Sequence, residues 1–111
     1  MPVSYSEIIP GTLLTNSAAT LYTVATGVTT NVGTLWFCNT DTSNHTYTVY
    51  VIASGDSAAD KNTVITAEPI AAGQSKSLTL DQNLPAGTFI QALADTTSVV
   101  SIRGSGIEFS G

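Results

Sequence analysis

The chain has 111 residues, eight acids against three bases for a formal net charge of −5, and only 10% charged residues; this is one domain's worth of polypeptide, with too few cations for the basic stripe that a nucleic acid or an anionic bilayer requires. No run of about 18 apolar residues is present, so no membrane-spanning helix is expected, and a lone cysteine, Cys38, excludes an intrachain disulfide. The residues up to Pro10 show neither the basic nor the apolar region of a secretory signal, so synthesis in a cytoplasm with no oxidising step is expected.

Along the chain no segment of ten or more residues has helical apolar spacing. Short β-branched or aromatic runs recur instead, each ended by Gly, Pro, Asn, Asp or Ser, the pattern of an all-β sandwich or barrel. Residues 1–20 come first and read as an extended N-terminal arm, because Pro2, Pro10 and Gly11 interrupt any long element and only residues 12–14 are left to pair as a short strand. Such an arm is free to lie on a neighbouring subunit. A sandwich domain of residues 21–111 follows, with seven predicted strands at 21–25, 31–39, 46–53, 63–68, 75–80, 89–94 and 98–109. Turn chemistry separates them: Gly27, Thr40 to Asn44, Gly55-Asp56-Ser57, Ala72-Gly73, Pro85-Ala86-Gly87 and Asp95-Thr96-Thr97. Gly104-Ser105-Gly106 falls inside the last strand and reads as a bulge or bend.

Period-two alternation assigns faces to these strands. Leu78 and Leu80 share one face of their strand and Ser77 and Thr79 the other, as in a sheet with one wet side. The stretch 31–53, taken as a hairpin, is apolar on both faces: Leu35 and Phe37 oppose Trp36 and Cys38, and Tyr47, Val49 and Val51 oppose Tyr50 and Ile52. A sandwich core covers one face only. The remainder, Trp36, Tyr50 and Ile52, is therefore expected to be an interface, covered by the arm or by another chain, because burying each large apolar side chain contributes roughly 1.5–3 kcal/mol. A homo-oligomer follows, most simply a trimer or another cyclic assembly. Roughly thirty Ser and Thr stand where Lys and Glu usually do, and they form strands well without repelling a copy of the same surface.

Reactive groups are scarce. His45 is the one histidine and falls in the polar turn Asp41-Thr42-Ser43-Asn44, where it reads as exposed and idle. Cys38, inside the run Leu35-Trp36-Phe37, reads as a packing residue and not as a nucleophile served by His45. One His and one Cys make no zinc cluster. Asp56, Asp60 and Asn62 offer oxygen ligands of the kind calcium takes, but at no recognised spacing, and read as a solvated acidic loop. Gly73-Gln74-Ser75-Lys76-Ser77 lacks the closing glycine of a nucleophile elbow, and Asn44-His45-Thr46 fits the glycosylation triplet by chance. Trp36, Tyr47, Tyr50 and Tyr22 are candidates for a sugar-stacking platform, with core or interface packing as the competing reading. No catalytic residue, metal site, cofactor or small-molecule substrate is expected.

Three groups of residues nevertheless form a familiar sequence. Leu21-Tyr22-Thr23-Val24, Gly27, Thr29-Thr30 and Val32 lead into Leu35-Trp36-Phe37-Cys38-Asn39. Ile70-Ala71-Ala72-Gly73 then precedes Leu78 and Leu80, Leu84-Pro85-Ala86-Gly87 precedes Ile90, and Val100-Ser101-Ile102-Arg103-Gly104 closes the match with Ile107-Glu108. In this order, over roughly residues 20–109, the chain resembles a group of small virion proteins of tailed bacteriophages. The resemblance implies a β-sandwich or jelly-roll-like fold, no catalytic residues, and service as a head decoration (cement) protein or a small tail component. Its partners would then be the major capsid protein and copies of itself, with no nucleic acid and no membrane, and its place the capsid surface. The arm, outside the resemblance, would reach a capsid neighbour by strand addition. Tail, baseplate or fibre modules and carbohydrate-binding modules are the alternatives.

Overall fold

The computed structural model describes residues 3–110. Eight strands account for most of them: β1 (Val3–Leu13), β2 (Ala19–Thr23), β3 (Val28–Asn39), β4 (His45–Ile52), β5 (Thr63–Ile70), β6 (Ser75–Leu84), β7 (Phe89–Ala94) and β8 (Val100–Ser110), with one 3₁₀ turn at Asp60–Asn62 before β5. They form two four-stranded antiparallel sheets, a first sheet in the order β1-β8-β3-β6 and a second in the order β2-β7-β4-β5. The all-β antiparallel sandwich expected from the alternation is the fold found.

Alternation along β8 orients the whole first sheet. Val100, Ile102 and Gly104 are buried, while Ser101, Arg103 and Ser105 between them face outward. On β3, Val32, Leu35 and Phe37 are buried opposite this row, and on β7 of the second sheet Ile90, Ala92 and Ala94 face them. The two sheets meet where Phe37 of β3 stacks on Tyr47 of β4, with ring centroids 4.0 Å apart and planes 14° from parallel. Polar side chains close the sandwich at its rims. The Tyr22 hydroxyl on β2 donates to Glu108 Oε2 (2.6 Å) and lies 2.7 Å from Thr30 Oγ1, joining the two sheets. Buried Asn39 donates to the carbonyls of Ser43 and Ile70 and accepts from the Asp41 N–H, fixing the β3–β4 connection. Lys76 on β6 donates to Glu68 Oε2 (3.0 Å) and to the Pro69 carbonyl (2.6 Å) on β5, bridging the two edges.

Three expectations are corrected. Residues 3–13 are extended, but they are not an arm free to reach a neighbour: they are β1, paired with β8 along its length, and Ile8 and Ile9 are buried in the core. Pro10 hid this strand from sequence reading, and it is tolerated because β1 is an edge strand on which a missing N–H breaks no ladder. Second, residues 31–53 are not a hairpin. β3 and β4 lie in opposite sheets, and the connection at 40–44 crosses between them. Third, the bulges lie beside the glycines and not in them. Between Gly106 and Gly104 of β8, both β1 and β3 carry one extra residue. The glycines serve close approach: a Cβ on Gly104 would stand 2.7 Å from Leu35 Cδ2, and one on Gly106 2.6 Å from the Asn31 carbonyl oxygen.

All four edge strands are irregular. β1 carries two bulges and Pro10, β6 one at Leu80-Asp81, β2 one at Leu21, and β5 two together with Pro69. Bulges and prolines at edges prevent a further strand from docking. The fold leaves its faces, not its edges, for contact.

Candidate interaction surface

The outer face of the first sheet is built by register. Leu13, Ser101, Cys38 and Ser75 form one row across β1, β8, β3 and β6, and Arg103, Trp36 and Ser77 form the next. Further along, Tyr5, Ile107, Asn31 and Asn83 form a third row, in which the Asn31 amide donates to Asn83 Oδ1 at 2.9 Å. Tyr5, Leu13 and Trp36 are 80%, 50% and 53% exposed. Val64, 36% exposed, belongs instead to β5 in the second sheet.

Charge is nearly absent from this face. Arg103 lies over Gly11, its guanidinium at the place a Cβ would fill, and Nη1 donates to Glu7 Oε2 at 3.1 Å. The pair is mutually neutral. Most other acids lie elsewhere: Asp41 and Asp95 at one end of the sandwich, Asp56 and Asp60 in the β4–β5 connection, Glu68 on β5 and Glu108 turned inward to Tyr22, which leaves exposed Asp81 at the bulge of the edge strand β6. Beside Trp36 is a shallow depression of about 160 Å³ lined by Trp36, Phe37, Cys38, Ser75, Ser101 and Arg103.

The interface expected from sequence is divided by the fold. Trp36 belongs to the exposed face of the first sheet. Tyr50 is half-buried on the outer side of the second sheet, in a row with Gln91 and Thr20, and Ile52 is fully buried. The 3₁₀ turn at Asp60–Asn62 lies beside β4, so Ile52 is covered within the chain. Trp36, Tyr50 and Ile52 therefore form no common surface. Nor do the four aromatics form a platform, because Tyr47 is in the core and the Tyr22 hydroxyl is turned inward. Tyr5 and Leu13 were missed because β1 was read as an arm. The signal was present in the apolar Ile8-Ile9 pair, but two bulges break the alternation that would have exposed it.

His45 is not an idle exposed turn residue. It opens β4, is 9% exposed, and has a carboxylate on each ring nitrogen: Asp95 Oδ1 on Nδ1 and Asp41 Oδ2 on Nε2, both at 2.8 Å. Both nitrogens must carry protons to satisfy both acceptors, so the imidazolium is the form the site selects. The Asp41 hydrogen bond, followed by the charge and hydrogen bond of Asp95, raises the His45 pKa above its ordinary value against the opposing effect of burial. The same contact, with the Thr42 N–H, lowers that of Asp41. An imidazolium with both nitrogens engaged has no lone pair with which to activate Cys38, which faces outward on the other sheet. The group is a clamp between the β3–β4 and β7–β8 connections.

Asp56 is engaged by the Lys61 ammonium (2.9 Å) and the Ser57 N–H, which together lower its pKa. Among the described residues no group of three or more His, Cys, Asp or Glu is placed to hold a metal ion. Among the described residues no helix is long and apolar enough to cross a membrane.

The interleaved strand order, in which β8 lies between β1 and β3 and β7 between β2 and β4, is that of an eight-stranded jelly roll made of two Greek keys. Solved structures share it. A chain of the infectious bursal disease virus Gx strain structure is similar at 14% identity and TM-score 0.57, covering 99% of this chain and 32% of that one. The corresponding Gt strain chain gives 13%, 0.55, 99% and 33%. A protein of Bacillus endospore appendages, which form a family of disulfide-linked pili, gives 14% identity and TM-score 0.58 over 97% of this chain and 88% of that one. The chain thus spans about a third of the length of the viral chains it matches, and at these identities the likeness establishes the fold. No family model and no curated protein matches the chain.

Proposed function

We propose that the chain is a non-enzymatic structural protein of a virus particle and, within that class, a decoration (cement) protein on the outside of a tailed-bacteriophage capsid. The observation that carries this reading is the broad, almost uncharged outer face of the first sheet on a jelly roll whose interior is filled by side chains. Such a face lies against a neighbour without stripping water from unpaired charges, a step that is costly. Two viral chains of the same fold and the sequence resemblance over residues 20–109 favour the virion. The blunted edges favour attachment by faces and loops over strand addition.

On this reading the partners are the major capsid protein and copies of the chain, with no nucleic acid, membrane or substrate, and many weak attachments around the shell add up to durable binding. Mass-spectrometric stoichiometry of purified particles tests it. A copy number comparable with that of the capsid protein is expected. A few copies per particle would move the protein to the tail, and absence from particles would refute the reading.

A further inference from the structure

We propose that the outer face of the first sheet is a self-interface, on which two copies of this chain pair face to face about a twofold axis. Two observations select a second copy as the occupant. The first is charge. The molecule carries a net charge of −5, so many approaches between copies bring acids together, but the middle of this face holds the neutral Arg103–Glu7 pair, with Asp81 out on its β6 edge. Two such acidic molecules meet on it with little like-charge repulsion, and Ser75, Ser77 and Ser101 add hydroxyls that donate and accept equally.

The second is area. Four strands about 4.8 Å apart and about eight residues long at about 3.3 Å each present roughly 500 Å². Two copies would bury about 1,000 Å² in total, the lower bound for a specific interface. An interface at this lower bound is expected to be weak and to form where copies are concentrated. A flat face that pairs with itself about a twofold axis is isologous, so that residue i meets j and j meets i. This makes a dimer, in place of the trimer expected from sequence. Trp36 and Leu13, half exposed in the free chain and near the Arg103 pair, are its anchors; Trp and Arg are the residue types that most often dominate interface energetics.

Sedimentation equilibrium of the full chain from micromolar to millimolar concentration tests the proposal. A monomer–dimer equilibrium is expected, with the chain's one tryptophan indole signal shifting on dilution in NMR. Trp36→Ser and Leu13→Ser, both exposed and so harmless to folding by circular dichroism, should each weaken association about tenfold. Ser77→Glu should weaken it at low salt and recover in part at high salt. Val64→Ser, on the opposite sheet, should leave it unchanged. A monomer at millimolar concentration, or a dimer that survives the first-sheet variants and is lost with Val64→Ser, overturns the assignment. The outcome is separable from the virion reading: a chain that occupies particles yet stays monomeric defeats only this proposal, and one that dimerises but is absent from particles defeats only the other.

Discussion

Substituting Gly104 by Ala tests the packing at the centre of the first sheet. The backbone of Gly104 lies outside the left-handed region, so the substitution brings no backbone strain. By itself it would stabilise the fold by about 0.4–1 kcal/mol through a less flexible unfolded chain. Against this, the new methyl would stand 2.7 Å from Leu35 Cδ2, where carbon atoms prefer about 3.5–4.0 Å. Leu35 has no exposure, and the Ile9 side chain is 3.5 Å away on the same side, so neither retreats freely. Overpacking of this kind costs about 1–3 kcal/mol. The net destabilisation is then about 0–2.6 kcal/mol, and about 4–8 °C in Tm per kcal/mol for domains near this size. Gly33→Ala is the control, because its Cβ meets only the Ser105 carbonyl oxygen at an ordinary 3.5 Å, and it should be neutral or slightly stabilising. Urea denaturation followed by far-UV circular dichroism measures both. Leu35→Ala should cost less in the Gly104→Ala background than alone, since the smaller side chain removes the clash. Gly104→Ala as stable as Gly33→Ala, or strictly additive with Leu35→Ala, would refute the close-approach argument.

Other consequences follow from neighbouring residues. Phe37→Ala should cost about 3–5 kcal/mol, for a buried ring that stacks on Tyr47, whereas Trp36→Ala, one residue earlier and on the outer face, should change monomer stability by about 0.5 kcal/mol or less, as chemical denaturation at low protein concentration will show. His45, the single histidine, should titrate above 6.5 in NMR. Because its folded pKa is raised, its stabilisation is complete below the unfolded value and is lost as pH rises through the folded one, whereas that of Asp41, whose pKa is lowered, is lost as pH falls through its own. Asp41→Asn should bring the His45 titration down, and an unchanged midpoint would dismiss the clamp. Burial and the Glu108 carboxylate push Tyr22 up to about 12, so Tyr22→Phe should remove the latest phase of the ultraviolet tyrosine titration and destabilise the fold by about 1 kcal/mol.

Much of this architecture was legible in the chain because it depends on local alternation. The faces of β3, with Leu35 and Phe37 inward and Trp36 and Cys38 outward, follow from period two alone, and β7 was bounded correctly at 89–94 because nothing interrupts it. Where a bulge intervenes, the pattern shifts by one residue. β1 was lost at Glu7-Ile8 and Pro10-Gly11, and β6 was ended too early at the Leu80-Asp81 bulge.

Partnership between distant segments was beyond any local pattern. The pairing of β3 with β6 and β8 and of β4 with β5 and β7, the meeting of His45 with Asp95 fifty residues away, and the gathering of Tyr5, Leu13 and Trp36 on one face are all set by which strands become neighbours. The sequence by itself determined that this is a low-charge β protein with one core and surplus apolar surface, because composition and alternation act residue by residue. Only the tertiary structure decided where that surplus lies, because long-range hydrogen bonding sorts the strands into two sheets and thereby separates Trp36 from Tyr50 and Ile52.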